Sequence, residues 1–333
     1  WIDKENLTTD KIELEIASKI AMARSPGNTK DLNIVFRDII KNPDYASSGF
    51  IDAIRNYISD VKIYRIIYVD TIEKLLAAMS SNTRIFLDAE EFSLDKTRNI
   101  TVENPRIDTK NGVSINNVHN LIFDCLDKKP ARLISTDTFS YILEFTASRN
   151  IVFRNVVVGH SPETDECRSG VLHFVNCQNV FLHNTELFGS GTTGINANDV
   201  DSLVLSRSVI RHCSKNAILL NNCRNIYSLN SKIIENTGDS LIVIHNSRNI
   251  VFDKSELTGN KSAADSNSKL FSVEGVFNIR LINSQISQND YDTFKTESGN
   301  IHLSGNVITD NSFELSASDT IINTGYEIDP FSD

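Results

Sequence analysis

The segment from Val158 to Phe174, VGHSPETDECRSGVLHF, concentrates side chains that could do chemistry. It has a histidine near each end, His160 and His173, and a polar insert at 161–169 with three acids, a cysteine and an arginine. Histidine exchanges protons near neutral pH, and arginine and carboxylates hold polar ligands through charged hydrogen bonds. The segment is therefore a candidate catalytic or binding site, with a solvated loop between two strands as the alternative.

A first group of candidates lies beside the insert on successive repeats of the chain. Glu144, His173 and Asn196 are spaced so that they would face outward as neighbours if their segments are stacked strands. An acid next to a histidine is an acid–base pair, so we predict catalysis by Glu144 and His173, with Asn196 binding substrate. His160, at the root of the insert, is a further catalytic candidate. The insert is predicted to overhang the group and to contact substrate through Glu163, Asp165 and Arg168.

A second group lies on the first strand of each repeat. One outward position on consecutive repeats holds Asp124, Arg154, His183 and Ser206. An acid, an arginine and a histidine on consecutive coils could bind an acidic sugar, with His183 as the acid or base. We therefore predict Arg154 and His183 as catalytic and Asp124 as substrate-binding. For Glu144 and His173 the structural alternative is surface ion pairing, which contributes little energy. For the second group it is the chance proximity of outward residues, which are mostly polar on a surface of stacked strands.

A phrase of about six residues recurs eight times and identifies the elements that must position these side chains. Each copy begins with a polar residue, usually Asn, and continues with alternating apolar residues, as in NIVFRN from Asn150 and NIVFDK from Asn249. Successive copies from Asn120 to Asn300 begin 30, 29, 23, 23, 24, 29 and 22 residues apart. The period of two indicates strands, and three apolar stretches in each repeat predict three strands per coil.

Two columns of equivalent residues support this stacking. Eight residues after each phrase begins, from the copy at Asn150 onward, every position is apolar, as an inward-facing side chain requires. This column consists of Val158, Leu187, Ile210, Ile233, Leu257, Ile286 and Ile308. Three residues further on, a turn column ends with Asn236, Asn260, Asn289 and Asn311, whose amides could bond from coil to coil. We predict an all-β solenoid, a right-handed single-stranded parallel β-helix with three strands per coil, plus an N-terminal helical segment and cap.

The N-terminal part of the chain lacks the repeat. Residues 1–65 are predicted to form a helical region. The segments with apolar residues at helical spacing are 9–24, 29–42 and 49–61.

The remaining boundaries follow from the ends of the repeat. The β-helix is predicted over 66–311, with 66–95 as an N-terminal cap that contains a helix at about 71–80. Residues 312–333 are predicted to be a C-terminal cap or tail, because an open solenoid end exposes core and unpaired strand edges.

Composition excludes several classes of protein. The net charge of −10 disfavours a broad attraction to nucleic acid or to anionic membranes. No apolar run approaches the ~20 residues of a membrane-spanning helix. Five cysteines without a Cys-x-x-Cys pair indicate neither a disulfide framework nor a zinc ribbon. No cofactor or metal site is predicted, although scattered carboxylates leave calcium binding open. The oligomeric state is not indicated.

With this coil pattern, the chain resembles the pectate-lyase-like right-handed β-helix superfamily over about residues 66–311. That superfamily includes polysaccharide lyases, glycoside hydrolases, epimerases, esterases, phage tailspikes and proteins of no known activity. The resemblance implies a polysaccharide or glycan partner and a secreted, periplasmic or cell-surface location. It implies no particular reaction, because Ser161 follows Gly159-His160 where polygalacturonase-like members have Gly-His-Gly. The acid clusters and paired Asp and Gln signatures of other members have no counterpart.

Two functions of different classes are consistent with the sequence. The first is a carbohydrate-active enzyme, a polysaccharide lyase or glycoside hydrolase, acting on the β-helix face of coils two to four. The second is a non-catalytic β-helix protein for glycan binding, adhesion or scaffolding. The second is favoured by Leu219 and Val243, which interrupt the polar column after Asn196.

Overall fold

The chain winds through three long sheets in turn, so that each full coil gives one strand to each sheet. The computed structural model describes residues 63–100, 102–125, 129–161, 168–189, 192–263, 267–275, 277–296 and 300–315. Strands of successive coils pair in parallel, with one antiparallel pair between Ile107–Asp108 and Val113–Asn116. The predicted all-β parallel β-helix with three strands per coil is confirmed.

The described elements are as follows. The first sheet contains Arg65–Val69, Thr83–Leu87, His119–Asp124, Arg149–Arg154, Gln178–His183, Asp201–Ser206, Arg224–Leu229, Arg248–Asp253, Phe277–Ile282 and Ile301–Ser304. The second sheet contains Glu91–Ser93, Ala131–Ser135, Val156–His160, Glu186–Phe188, Val209–Arg211, Lys232–Ile234, Glu256–Thr258, Gln285–Ser287 and Val307–Thr309. The third sheet contains Ile107–Asp108, Val113–Asn116, Leu143–Thr146, Leu172–Val175, Thr193–Asn198, Asn216–Asn221, Ser240–His245, Lys269–Glu274 and Thr293–Lys295. The helices are the α-helix Ile72–Ala78 and the 3₁₀-helix Leu94–Asn99.

The core is a stack of apolar side chains that point inward from all three sheets. Phenylalanines form part of it: the ring centroids of Phe123 and Phe153 are 4.7 Å apart, and those of Phe145 and Phe174 are 5.5 Å apart. The predicted inward column is buried from Val158 to Ile286, and its last member, Ile308, is partly buried. Because inward and outward residues alternate along each strand, this burial fixes which side chains face outward.

The polar residue that begins each repeated phrase is explained by its backbone conformation and by its side-chain hydrogen bonds. In seven of the eight copies this residue has a φ between 53° and 71°, the left-handed region that Asn adopts more readily than most residues. The asparagine side chains also bond between coils. The amide of Asn120 donates to Asn82 at 2.7 Å, Asn150 donates to Asn120 at 2.7 Å, and Asn179 donates to Asn150 at 2.9 Å. This set is the first asparagine ladder.

The predicted turn column forms a second asparagine ladder at the far side of the second sheet. The amide of Asn236 donates to Asn260, Asn260 donates to Asn289, and Asn289 donates to Asn311, at 2.9, 2.8 and 2.9 Å. Each acceptor oxygen also receives the backbone N–H of the preceding asparagine. The ladder therefore satisfies buried backbone groups at a bend where no strand partner is present.

Replacing Asn260 by alanine is expected to lower the free energy of unfolding by at least about 2 kcal/mol, because the buried N–H of Asn236 then loses its acceptor. Urea denaturation of the full chain measures this change. Asn311→Ala, at the partly exposed end of the same ladder, is the matched variant and should lose less, because water can replace its bonds. Equal losses for the two variants would contradict the role assigned to the buried ladder.

The first end of the solenoid is closed by the short helix Ile72–Ala78, which lies within the span predicted to be helical. Its side chains at Ile72, Leu75 and Leu76 are buried in the main core, and the Thr71 hydroxyl accepts the N–H of Lys74 at its N-terminus. The predicted helices before residue 63 and the tail after residue 315 lie outside the described residues. No helix in the described part of the chain is long and apolar enough to cross a membrane.

Candidate functional site

The outward face of the third sheet brings together the predicted residues Glu144, His173 and Asn196. They are register neighbours on the strands Leu143–Thr146, Leu172–Val175 and Thr193–Asn198. Glu144 Oε2 lies 2.7 Å from His173 Nδ1, and the His173 side chain is 17% exposed. Parallel pairing places equivalent residues about 4.8 Å apart, which is the spacing that lets this acid and imidazole meet.

A row of hydrogen bonds continues from this pair along the face. The amide of Asn198 lies 3.0 Å from His173 Nε2 and 3.1 Å from Asn196 Oδ1. Asn221 donates to Asn198 at 2.9 Å, and on the other side Ser114 donates to Glu144 Oε1 at 3.0 Å. With Nδ1–H donating to the carboxylate and Nε2 accepting from an amide, this network corresponds to a neutral imidazole protonated on Nδ1. We call Ser114, Glu144, Tyr141, His173, Asn196 and Asn198 the His173 cluster.

Tyr141 completes the cluster, and the sequence did not single it out. Its ring stacks on the His173 ring with centroids 4.6 Å apart, and its hydroxyl oxygen accepts from Asn196 Nδ2 at 2.7 Å. Burial raises the pKa of the Tyr141 hydroxyl, and the nearby charge of Glu144 also raises it, so the hydroxyl keeps its proton at neutral pH. Gly170 leaves room for the ring, because a Cβ there would lie 2.4 Å from Tyr141 Cε1.

A pocket of about 200 Å³ adjoins Tyr141 at the turn between the second and third sheets. Two carboxylates line it, Asp95 and Asp137. Asp95 accepts bonds from Ser135 and Thr136 of the neighbouring coil, and Asp137 accepts bonds from Phe139 and Ser140 of its own turn. Although burial alone would raise the pKa of Asp95, hydrogen bonds from Thr136 and Ser135 hold that pKa below its ordinary value. Asp95 is therefore ionised, and both carboxylates are already bonded to the protein.

The loop before Tyr141 also carries an exposed aromatic ring. Phe139 is 71% exposed, and the guanidinium carbon of Arg168 lies 5.9 Å from the centroid of its ring. Arg168 is the one predicted insert residue that the structure describes; Glu163 and Asp165 lie outside the described residues. An exposed ring beside a cation gives a surface on which a polar ligand with an apolar face can rest.

His160 stands apart from the His173 cluster. It ends the strand Val156–His160, is 2% exposed, and lies with Nε2 3.1 Å from the carbonyl oxygen of Gly170. Its Nδ1 is buried without a hydrogen-bond partner, and burial lowers the pKa of the imidazole. On the next two coils, the residues at the repeat position of His160 are Gly189 and His212. Both have left-handed backbone conformations, and His160 does not. We therefore leave His160 out of the proposed site.

The second predicted group is in register, and Asp124 at its centre is buried. Asp124 is 0% exposed and accepts from Arg84 Nε at 3.0 Å and from Arg154 Nε at 2.7 Å. His183 follows Arg154 in the same column. These side chains alternate along their strands with residues of the core, so they point outward, but Arg154 and His183 are only partly exposed. We assign Asp124, Arg154 and His183 a structural role.

Lowering the pH from about 6.5 to about 4 is expected to reduce stability through His183. Burial, with the charges of Arg207 and Arg154 adding to it, lowers the pKa of His183 to about 4 in the folded chain. The unfolded chain binds the proton near pH 6.5, so the contribution of neutral His183 is complete above that pH and is lost as pH falls through this window.

The slope expected from this one proton is up to about 1.4 kcal/mol per pH unit. Urea denaturation at a series of pH values measures it. His183→Gln should flatten the dependence by one proton, and an unchanged slope in this variant would contradict the assignment.

The buried cysteines Cys177 and Cys223 favour the unreactive thiol form. Cys177 and Cys223 are buried, and burial raises the pKa of each thiol to about 11, so the reactive thiolate is scarce at neutral pH. Over the described ranges, no group of three or more His, Cys, Asp or Glu side chains could hold a metal ion.

Comparison with known proteins identifies the architecture. A family model described as right handed beta helix region matches residues 90–257. The pectate lyase Pel9A is similar in structure, with a TM-score of 0.47 and 13% identity over 76% of this chain and 79% of that chain. No curated protein matches the chain.

Two further solved structures match the chain at lower similarity. PfbA, a surface adhesin of Streptococcus pneumoniae, has a TM-score of 0.38 and 9% identity over 77% of this chain and 71% of that chain. The polygalacturonase from Erwinia carotovora ssp. carotovora has a TM-score of 0.33 and 9% identity over 77% and 88%. At these identities the likeness concerns the fold, and the chemistry has to be argued from this chain's own residues.

Proposed function

We propose, from the premise that the chain belongs to the right-handed beta helix family, that it is a carbohydrate-active protein that cleaves a polysaccharide at the His173 cluster. The observation that carries the proposal is the Glu144–His173 pair on the outward face of the third sheet. Glu144 Oε2 lies 2.7 Å from His173 Nδ1, and the His173 ring stacks on the ring of Tyr141. The pair has the geometry of a base and the carboxylate that orients it. Extended polymers suit such a face, because its outward columns repeat along the coils.

The chemistry proposed for the cluster is proton abstraction by His173. Glu144 fixes the tautomer and would stabilise the imidazolium formed on Nε2, while the incoming sugar displaces the Asn198 amide from that nitrogen. For a uronic acid polymer, His173 takes the proton next to the carboxylate, the electron pair forms a carbon–carbon double bond, and the glycosidic oxygen leaves. Tyr141 can donate the proton that this oxygen needs, because its hydroxyl is protonated at neutral pH.

A lyase fits the cluster better than a hydrolase. Glycoside hydrolysis ordinarily needs two carboxyl groups on either side of the bond, about 5–10 Å apart. In the His173 cluster Glu144 is the one carboxylate, and it is held by His173 and Ser114. Arg168, beside the exposed Phe139, is the cation proposed to neutralise the substrate carboxylate.

The second candidate is a glycan-binding or adhesion protein without turnover. It is favoured because both His173 nitrogens already have partners, and because Phe139 is exposed beside Arg168 as a ready surface for a sugar ring. Under either function the partner is a polysaccharide, so we place the protein at a secreted, periplasmic or cell-surface location.

The test is a screen of acidic and neutral polysaccharides that follows new reducing ends and the ultraviolet absorbance of unsaturated uronate products. A lyase raises both signals. A hydrolase raises reducing ends alone, which would overturn the elimination step. Retention of a glycan with neither signal would establish the binding function instead, and absence of both turnover and retention would overturn the proposal.

A further inference from the structure

The outward face of the first sheet is apolar and buried, unlike the outward face of the third. One register position on six consecutive strands is occupied by Ile122, Val152, Phe181, Val204, Tyr227 and Val251. Val204 is 0% exposed, and Tyr227 is 7% exposed. The outward residues of the third sheet, such as Leu219 and Val243, are only partly buried. We call the six residues the apolar stripe.

The apolar stripe is separate from the core of the solenoid. Its residues form two clusters of their own, one around Val204 and Tyr227 and one around Ile122 and Val152. The described apolar side chains packed against them belong to the same sheet face or to Ile63. Side chains that alternate with the core residues of a strand are left in contact with water unless another layer covers them. The burial of Val204 and Tyr227 therefore requires a further layer outside the three sheets.

Charged residues in the same face are covered as well. Asp124, in the column beside the apolar stripe, is fully buried and pairs with Arg154 of the same column and with Arg84, which is the register neighbour of Ile122. At the far end, Arg280 follows Val251 in register, and its Nε is buried without a hydrogen-bond partner. Burial lowers the pKa of Arg280 and raises the pKa of Asp253. Burial is complete at Asp124, beside one end of the stripe, and partial at Arg280 and Asp253 at the other end.

We propose that the cover is the N-terminal segment of this chain, residues 1–62, packed through the apolar sides of its amphipathic helices. The described chain starts next to the stripe, because Ile63 already packs against Ile122 and Val152. The preceding segment, 49–61, repeats apolar residues at Ile51, Ile54, Ile58 and Val61, the spacing of one helix side. The segment therefore arrives at the face with a matching apolar surface.

The lengths of the predicted N-terminal helices match the length of the stripe, and the C-terminal segment suits the stripe less well. Six strands at ~4.8 Å give a stripe about 24 Å long. Helices over 9–24, 29–42 and 49–61, at 1.5 Å per residue, would be about 24, 21 and 20 Å long. Residues 316–333 suit the face less, because they contain Gly325 and Pro330 and follow a strand of the second sheet.

The experiment is limited trypsin digestion of the full chain, with cleavage after Arg37, Lys41 and Arg55 followed by mass spectrometry. These sites should be protected in the wild-type chain. Val204→Glu places a charge in the stripe and should speed cleavage at them by about tenfold or more, because proteolysis follows the population of the released segment. Val243→Glu is the matched control, since the same substitution on the third sheet should leave the protection unchanged.

A second variant separates release of the segment from unfolding of the coils. Ile54→Glu changes the segment alone, and it should give the same rapid cleavage while the β-sheet circular dichroism keeps its wild-type melting curve. Wild-type cleavage as fast as in Val204→Glu would overturn the proposal. Protection that disappears on dilution, together with dissociation of a dimer in sedimentation, would overturn it in favour of a second copy on the stripe.

Discussion

His173→Ala is expected to lower the kcat for polysaccharide cleavage by about 10²–10⁴-fold, the range that a positioned general base contributes. The KM should change little, because His173 makes one of several contacts on the face. Glu144→Gln should lower kcat by a smaller factor, because it keeps the hydrogen-bonding shape but removes the charge that stabilises the imidazolium. The measurement is the initial rate of unsaturated product formation on the substrate found in the screen.

The chain offers a matched control for this experiment on the same sheet. His245 lies 3.2 Å from Glu274, so it is also a histidine–glutamate pair on an outward position of the third sheet. His245→Ala should keep the wild-type kcat. Among the described residues, no tyrosine ring stacks on His245 as Tyr141 does on His173. Equal losses in His173→Ala and His245→Ala would show that the substitutions act through the fold, and an unchanged rate in both would remove His173 from the mechanism.

Asp124→Asn is expected to lower the free energy of unfolding by about 3–5 kcal/mol, as found when one member of a buried ion pair loses its charge. The carboxylate is 0% exposed and lies between the guanidinium groups of Arg84 and Arg154. The amide leaves these two buried cations without their shared counter-charge. Urea denaturation of the full chain, read by circular dichroism, gives the difference.

The control removes a carboxylate charge from an exposed pair. Glu256 lies 2.5 Å from Lys232, whose side chain is 53% exposed, so Glu256→Gln should change the free energy of unfolding by about 1 kcal/mol or less. A loss for Asp124→Asn as small as this would show that water reaches Asp124. It would return the Asp124 column to the set of candidate binding surfaces.

The features of the fold that repeat with each coil could be predicted from the periodicity of the sequence. Inward columns and the asparagine ladder repeat with the coil, so stacking follows from spacing alone. The same register brought Glu144, His173 and Asn196 together. Asn198 could have been added, because it stands two residues after Asn196 and must face the same side.

Other parts could not be predicted because they do not repeat. Tyr141 lies in a turn outside the strand columns, and its position depends on the space that Gly170 leaves. Alternation gives the direction in which Asp124 and His183 point, but it does not say whether water or another layer lies beyond them. Their exposure depends on the tertiary contacts of that face, which do not repeat with the coil.

The two asparagine ladders have opposite electrical polarity. In the first, each amide donates to the preceding coil, as from Asn150 to Asn120. In the second, each amide donates to the following coil, as from Asn260 to Asn289. Because side-chain amides are dipoles, the two rows oppose one another along the solenoid axis. The solenoid thus carries two rows of side-chain hydrogen bonds whose amide dipoles point in opposite directions, so their contributions to the potential between its ends have opposite sign.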